Sequence, residues 1–565
     1  MRRGVTITTE AIALGGRMVP AGDRSRSSEI YRALVATIAV VLAFSAVGAQ
    51  LVRLALTAAP QTVSNTSSPL ATSVARPDLV DRNGRLLASD VEVMSLYADP
   101  SLVLDRDEVS EKLARIFPDL DTARVRELLA DRTRRFVWLR RGLAPETAQR
   151  VHNLGLPGLS FRTELRRAYP GGELAGHLLG GVNVENRAIA GVERHLDDKG
   201  LIETVVSAAP SAARPVALSI DLGVQHTLEE ELASAMATFE AAGAAGLVLD
   251  VTTGEVLASA SRPGVDPARP EALLDQSRID RIAGGTYELG SIFKLLTVAE
   301  AIEAGRVDDR SIVDVTRPLK SGRFDIKDLH PPGRSLTVTE VFTKSSNVGS
   351  AMLALGAGSD RQRAFLSSLG LLTVGRTEAG PIAAPQVPSR WAEIETITVS
   401  YGHGLAVAPL QFAAAAAALV NGGDLIQPTL LKRQPGDTPE RRRVISAATS
   451  SALARMMRAN VAEAGGTGRR ADVPGYRVGG KTGTAEIAVK GRYMGNSVIS
   501  SFLGAFPMDR PRFLTLVLIF EPSRTRASDG EITAGHTAAP VTARLIGRIA
   551  PQLGVLPAEA GAPGD

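Results

Sequence analysis

Twenty residues from Ala33 to Val52, ALVATIAVVLAFSAVGAQLV, carry no charge and are bounded by Arg32 and Arg53. At 1.5 Å rise per residue, a helix of that length spans the roughly 30 Å hydrocarbon core of a bilayer. This constrains the chain more than any other feature, because everything after it must fold on one side of a membrane. Arg2, Arg3, Arg17, Arg24, Arg26 and Arg32 precede it against three acids, whereas residues 54–75 contain no Lys or Arg. The positive-inside bias therefore puts a cytoplasmic tail at 1–32 and the bulk of the chain outside. A cleaved signal peptide is the rival reading, with Val47-Gly48-Ala49 as a small-residue cleavage site. The long charged leader and the apolar Leu51, Val52, Leu54 and Leu56 beyond that site favour a retained anchor. No other stretch approaches eighteen uncharged apolar residues, so a single crossing is expected.

The 565 residues allow two or three domains. Basic and acidic residues nearly balance, 64 against 60, and aromatics make up only 4%. Neither a strong field nor stacking platforms invite nucleic acid, and no nucleic-acid partner is expected. Without cysteine there is no disulfide, no thiolate zinc ligand and no thiol nucleophile. The seven histidines show no H-x-H or H-E-x-x-H spacing, so no metal site is expected either.

Residues 53–75 read as a linker, small and polar from 58 onward. In "RPDLVDRNGRLLASD" the Asn83-Gly84 pair between short apolar runs signals a hairpin. A mixed region of helices and short strands runs from 76 to 215 and assembles no catalytic set. A second domain is expected over 216–550. Its "GLVLDVTTGEVLASAS" reads as two strands about the Thr253-Gly254 turn, and Pro409 and Asn421-Gly422 bracket a helix. Three later strand-like runs, "YRVGGKTGTAEIAV", "SVISSFLGAFP" and "RFLTLVLIFEP", precede an amphipathic helix near 538–550. Strands from both ends with helices between them imply an α+β domain with one antiparallel sheet. Residues 551–565, rich in Ala, Pro and Gly, read as a loose tail.

Three short motifs stand in this second domain: Ser291-Ile292-Phe293-Lys294, Ser345-Ser346-Asn347, and Lys481-Thr482-Gly483-Thr484. Taken singly, Lys294 reads as a solvated helix lysine, Ser345 and Asn347 as a helix cap, and Thr482-Gly483 as a tight turn. Together, in this order and 54 and 190 residues from Ser291, they match the S-x-x-K, S-x-N and K-T-G set of penicillin-interacting serine enzymes. A serine at a helix start after Gly290 exposes its Oγ near unpaired N–H groups, with Lys294 one turn on along the same face. Lys294 can take the serine proton if it is neutral, and a nearby cation, Lys481, would favour that state. Ser345 and Asn347 have the i, i+2 spacing that lets both face one cleft; a proton relay to the leaving amine is assigned to Ser345 and a hydrogen bond to the substrate amide to Asn347. Lys481-Thr482-Gly483-Thr484 opens a strand whose edge can pair with an extended peptide, Gly483 leaving room for close backbone approach. The N–H groups of Ser291 and Thr484 would form an oxyanion hole.

On these motifs, and on "VDRNGRLLA", "RAYPGGELAGHLLGGVN", "AGVERHLDD", "GLAVAPLQFAAAAAALVNGG" and "GGKTGTAE", the sequence resembles the class B penicillin-binding proteins. "AEIAVKGRYMGNSVISSFLGAFPMDRPRFLTLVLIFEP" is similar to their cell-division (FtsI-type) branch. The resemblance implies a single N-terminal transmembrane helix at 33–52, an elongated non-catalytic pedestal of dimerisation type at 76–215, and a penicillin-recognising transpeptidase domain with a five-stranded antiparallel sheet flanked by helices. It implies the D-Ala-D-Ala end of a peptidoglycan stem peptide as substrate, with Ser291 acylated, and β-lactam antibiotics acylating the same serine. It further implies inner-membrane localisation with a periplasmic catalytic domain at the division septum. The implied partners are a septal glycosyltransferase of the shape-and-division family and other divisome membrane proteins. No cofactor is implied. One departure is visible: the family commonly has Glu-Pro-Gly before the serine, and here Glu288-Leu289-Gly290 removes a pre-set φ and is expected to loosen the approach to the helix.

Rival readings remain at this point. A β-lactamase of class A would need a hydrolytic glutamate, and its usual E-x-x-L-N pattern is absent. A D,D-carboxypeptidase, an elongation-type transpeptidase, an inactive scaffold and a penicillin sensor share some or all of the motifs. The intact motif set and the division-type blocks argue for the septal transpeptidase.

Overall fold

The computed structural model describes residues 73–205, 213–489 and 492–558, together with scattered positions between 35 and 48. The expected membrane span and the spacer before Ser73 lie outside the described residues, and among those described no helix is long and apolar enough to cross a membrane. Residues 1–68 and 69–565 form separate units, and every element below belongs to the second.

The spacer expected through residue 75 ends sooner. Ser73–Ala75 is a strand, β1, paired antiparallel with Glu203–Val205, so regular structure begins three residues before the expected boundary. The hairpin is where the Asn-Gly pair places it: β2 (Leu79–Val80) turns into β3 (Leu86–Ala98), and the Asp81 carboxylate accepts the N–H groups of Asn83 and Arg85, both at 2.8 Å. β3 then pairs antiparallel with β4 (Val137–Leu143) and, over ten residues, with β5 (Leu159–Ala168). Helix α1 (Arg106–Ile116) and its neighbours supply Val109, Leu113, Val125 and Leu129 to a small core against this sheet.

An ion cluster closes the region near its start. Arg76 and Arg167 reach the two oxygens of Glu193 at 2.8 and 2.7 Å, and Arg167 also meets Asp90 at 3.2 Å. All four residues are buried. Isolated, each such charge would cost several kcal/mol; fully hydrogen-bonded, the set fixes which segments may meet. Glu193 lies on helix α2 (Gly191–Asp198).

The second domain is built on a five-stranded sheet whose strands come from both ends of the region, as the sequence predicts. Its antiparallel order is β7-β6-β10-β9-β8, with β6 Gly243–Asp250, β7 Val256–Arg262, β8 Gly479–Val489, β9 Arg492–Phe506 and β10 Phe513–Phe520. β6 and β10 are buried along their whole length because helices cover both faces. On one face Val248, Val517 and Ile519 pack with the amphipathic faces of Leu222–Phe239 and Ala538–Gln552. On the other, Leu247, Leu249, Leu516 and Leu518 join Leu295, Val298 and Phe412 from helices α3 (Lys294–Glu303) and Pro409–Val420. Alternate residues serve opposite faces, as the two-residue strand period requires. The last helix runs to Gln552, two residues into the expected tail. β8 is left at the sheet edge with one side unpaired.

Candidate active site

Gly290 has φ +58°, and a Cβ there would lie 2.8 Å from the Thr484 carbonyl, so conformation and space both require glycine. Gly290–Phe293 forms a 3₁₀ turn, and Lys294 opens α3. Ser291 thus stands on a tight turn leading into the helix, not on its first α-turn. Leu289 stands where the family commonly has proline. Leu289 adopts φ −99°, its side chain is 1% exposed in the main core, the Gly290 N–H donates to the Gly402 carbonyl at 3.2 Å, and the Glu288 carboxylate accepts the Gly404 N–H at 2.8 Å.

Lys294 is wholly buried, contrary to its reading in isolation as a solvated lysine. Its Nζ donates to the Ser345 carbonyl at 2.5 Å, the Asn347 Oδ1 at 2.7 Å and the Ser345 hydroxyl at 3.1 Å. Ser345 has φ +59°, a left-handed conformation that turns both its oxygens toward this amine. Burial, then repulsion from Lys481, holds Lys294 well below the usual ammonium range, with Asp328 opposing. The cation expected to neutralise Lys294 therefore contributes, but desolvation leads. Lys481 is also buried, and burial alone pulls it down to about 7. Its Nζ donates to the Ser345 hydroxyl at 2.9 Å and to the Thr482 carbonyl at 3.1 Å. One hydroxyl thus bridges two amines, each easily neutral, which is an arrangement for moving a proton.

In an antiparallel strand the N–H and C=O of one residue point the same way. The Thr482 carbonyl meets Lys481 Nζ, and the Thr484 carbonyl backs onto Gly290, so both threonines direct their main-chain groups to the free edge of β8. Gly290, the residue before Ser291, abuts Thr484 there. A Cβ on Gly483 would lie 2.5 Å from Ser501 Oγ and 2.7 Å from the Leu289 carbonyl, so this glycine leaves room for the backbone of the turn that carries Ser291.

Of the eight sequence-derived positions, Lys294, Ser345, Asn347 and Lys481 are joined by hydrogen bonds, while Gly483 and Thr484, which follow Thr482 on β8, lie against the turn that carries Ser291. The helix cap expected of Ser345 or Asn347 is made by the residue between them: Ser346 Oγ accepts the Gly349 N–H at 2.9 Å at the start of α4 (Asn347–Ala357). Sequence reasoning missed Asp328. Its carboxylate accepts Ser346 Oγ at 2.7 Å and the N–H groups of Asn347 and Val348 at 2.5 and 3.0 Å, clamping the S-S-N turn from a loop eighteen residues upstream. It also missed Asn460, which donates to the Gly480 carbonyl at 2.9 Å and accepts from Thr467, whose hydroxyl takes that of Thr482 at 2.8 Å. The glycines of "GGTG" before Arg469 were the one available sign of a tight loop there.

Two family models match the chain, the penicillin binding protein transpeptidase domain over residues 244–546 and the penicillin-binding protein dimerisation domain over 71–199. A probable peptidoglycan D,D-transpeptidase FtsI of Caulobacter vibrioides is 42% identical, covering 85% of this chain and 82% of that one. The peptidoglycan D,D-transpeptidase FtsI of Escherichia coli K12 is 33% identical, over 86% and 85%. The crystal structure of penicillin binding protein 3 from Mycobacterium tuberculosis complexed with aztreonam superposes with a TM-score of 0.66 at 25% identity, over 86% of this chain and 98% of that one. With both domains matched and the paired lysines around one serine hydroxyl, the chain belongs to the penicillin-binding protein family of peptidoglycan D,D-transpeptidases, on its FtsI-type branch.

Proposed function

We propose that Ser291 is the acylated nucleophile and Lys294 its base, and the observation that carries this is the buried amine of Lys294 held among Ser345 and Asn347. Ser291 Oγ attacks the penultimate D-Ala carbonyl of a stem peptide and passes its proton to Lys294. The oxyanion is held by the N–H groups of Ser291 and Thr484, where losing one donor typically costs about 3 kcal/mol. Collapse breaks the peptide bond, and the departing D-Ala nitrogen takes a proton through the Ser345 hydroxyl, which Lys481 recharges. A side-chain amine of a second stem then attacks the acyl carbon, forms the cross-link and releases Ser291. Asn347 hydrogen-bonds the donor amide, and Lys481 with the Thr482-Gly483-Thr484 edge aligns the donor strand. No step needs an external energy source or a cofactor. β-Lactams acylate the same serine with ring opening; a relative captured with aztreonam supports that reading.

Residues 33–52 form the membrane anchor, with 1–32 in the cytoplasm and the rest in the periplasm. Residues 76–215 are the pedestal and 216–550 the transpeptidase domain. Work at the division septum alongside a shape-and-division glycosyltransferase and other divisome membrane proteins is supported by the FtsI names of the relatives. Covalent labelling by a fluorescent penicillin, abolished in Ser291→Ala and nearly so in Lys294→Arg, tests the chemistry. Labelling that survives Ser291→Ala refutes the nucleophile. With lipid-linked precursor, cross-linked product is expected; free D-Ala alone would mark a carboxypeptidase. A fluorescent fusion should concentrate at midcell, and a lateral-wall pattern would assign the protein to elongation.

A further inference from the structure

A cavity of about 220 Å³ lies between the sheet of β3, β4 and β5 and the loop that follows β7, and none of the residues lining it belongs to the catalytic set. Arg141 of β4, Glu164 and Arg166 of β5, and Asn186 form one side, with Pro267 and Pro270 of the loop on the other. The loop wall is held by close packing, since a Cβ on Gly181 would lie 2.7 Å from the Pro267 carbonyl. At roughly 30 Å³ of liquid volume per water, the space takes about seven waters or one small organic solute. Two polar groups in its wall lack partners. Asn186 is 4% exposed, and its Nδ2 donates to the Val74 carbonyl at 2.7 Å and the Asp90 carboxylate at 3.1 Å. Those two acceptors fix the amide, leaving Oδ1 buried with no donor among the described residues. A buried acceptor left in this state is costly unless something outside the chain answers it. Arg166 is the second. The neighbouring guanidinium groups are neutralised, Arg141 by Glu164 and Arg167 by Glu193, both at 2.7 Å, whereas Arg166 has no hydrogen bond or ion pair to any described residue. Its guanidinium is seated over Gly142, whose φ of +67° and missing side chain leave the room it occupies.

We infer that this cavity is a second binding site, separate from the catalytic cleft, for a ligand that carries a carboxylate beside an N–H: a free α-amino acid or the C-terminal residue of a peptide. The Arg166 fork takes the carboxylate, and the N–H donates to Asn186 Oδ1. A neutral solute would leave the guanidinium unanswered, and a simple anion would leave the amide oxygen unanswered. Only the two groups together satisfy both. A ligand so placed touches both walls, and so holds the loop after β7 against β4 and β5.

The test is isothermal titration calorimetry on the full-length protein in detergent, before and after treatment with benzylpenicillin to close the catalytic cleft. The probes are alanine and N-acetylalanine, each in both hands, with propionate lacking the N–H and alaninamide lacking the carboxylate. Saturable binding of alanine or N-acetylalanine is expected both before and after the treatment, about tenfold tighter than that of either control. Tighter binding of alanine marks a free amino acid as the ligand, and tighter binding of N-acetylalanine marks a chain end. Arg166→Gln should erase the preference for the carboxylate over the carboxamide, and Arg166→Lys should keep most of it. That preference is a ratio read within each variant, so a partial loss of folded protein cancels. Absence of saturable binding, propionate binding as tightly as alanine, or an unchanged ratio in Arg166→Gln overturns the inference. So does binding that vanishes once benzylpenicillin is bound, because the ligand would then belong to the catalytic cleft.

Discussion

Asp328→Asn isolates what the S-S-N clamp contributes. The carboxylate accepts three hydrogen bonds, one from Ser346 Oγ and two from the first N–H groups of α4. Bonds to a charged acceptor are worth about 1.5–3 kcal/mol and neutral ones about 0.5–1.5, so each contact loses about 1 kcal/mol, and the new amide must turn an N–H toward one of the donors. If about 2 kcal/mol of that total is felt at Ser345 and Asn347 in the transition state, acylation slows roughly 30-fold. The charge has a second, separable effect. Asp328 favours the charged form of Lys294, which must be neutral to accept the Ser291 proton, so removing it lowers the Lys294 pKa further. The acid limb of the pH profile should then move to lower pH, and the deficit should be smallest in acid. Second-order acylation rates with a chromogenic cephalosporin, followed across the pH range, read both effects. A rate within twofold of wild type, or a limb that moves to higher pH, would refute the reasoning.

Gly483→Ala drives a methyl against Ser501 and the Leu289 carbonyl, and acylation should fall at least tenfold (about 1.4 kcal/mol) with circular dichroism unchanged; a full rate would mean that the strand and the nucleophile turn do not touch. Leu289→Pro restores the family residue but empties a buried leucine site and pulls φ from −99° toward about −65°, so urea unfolding should show about 1–3 kcal/mol less stability, and a gain would contradict this. Burial raises the Glu300 carboxyl from 4.5 to about 8, partly offset by Arg361. Its neutral form therefore stabilises fully below about 4.5, and that stability is lost as pH climbs through 8. Glu300→Gln should accordingly improve the melting temperature, relative to wild type, more at pH 9 than at pH 5; equal differences would count against it.

The residues proposed to touch the reaction were legible because each lies in a short motif whose spacing is local. Ser291 and Lys294 share one turn, and Ser345 and Asn347 one bend. The short apolar run "RFLTLVLIFEP" and the Pro409 and Asn421 brackets made the sheet and a central helix readable for the same reason. What was missed acts across the fold. Asp328 is one unremarkable acid in "KDLHPPG", and only tertiary packing brings it to the start of α4. Asn460 reads as a polar residue in an amphipathic helix until β8 lies against it. Lys294 looked like a solvated lysine on helical spacing alone, since burial is decided by neighbours far away in sequence.

β1 pairs with Glu203–Val205, so the start of the described fold is zipped to a segment far along the chain. Arg76 follows at once and is locked to Glu193. Mechanically this is a clasp. Tension on the polypeptide from its N-terminal side meets a two-stranded zipper and a buried salt-bridge knot before it can reach Gly243, the first residue of the sheet that carries the K-T-G edge.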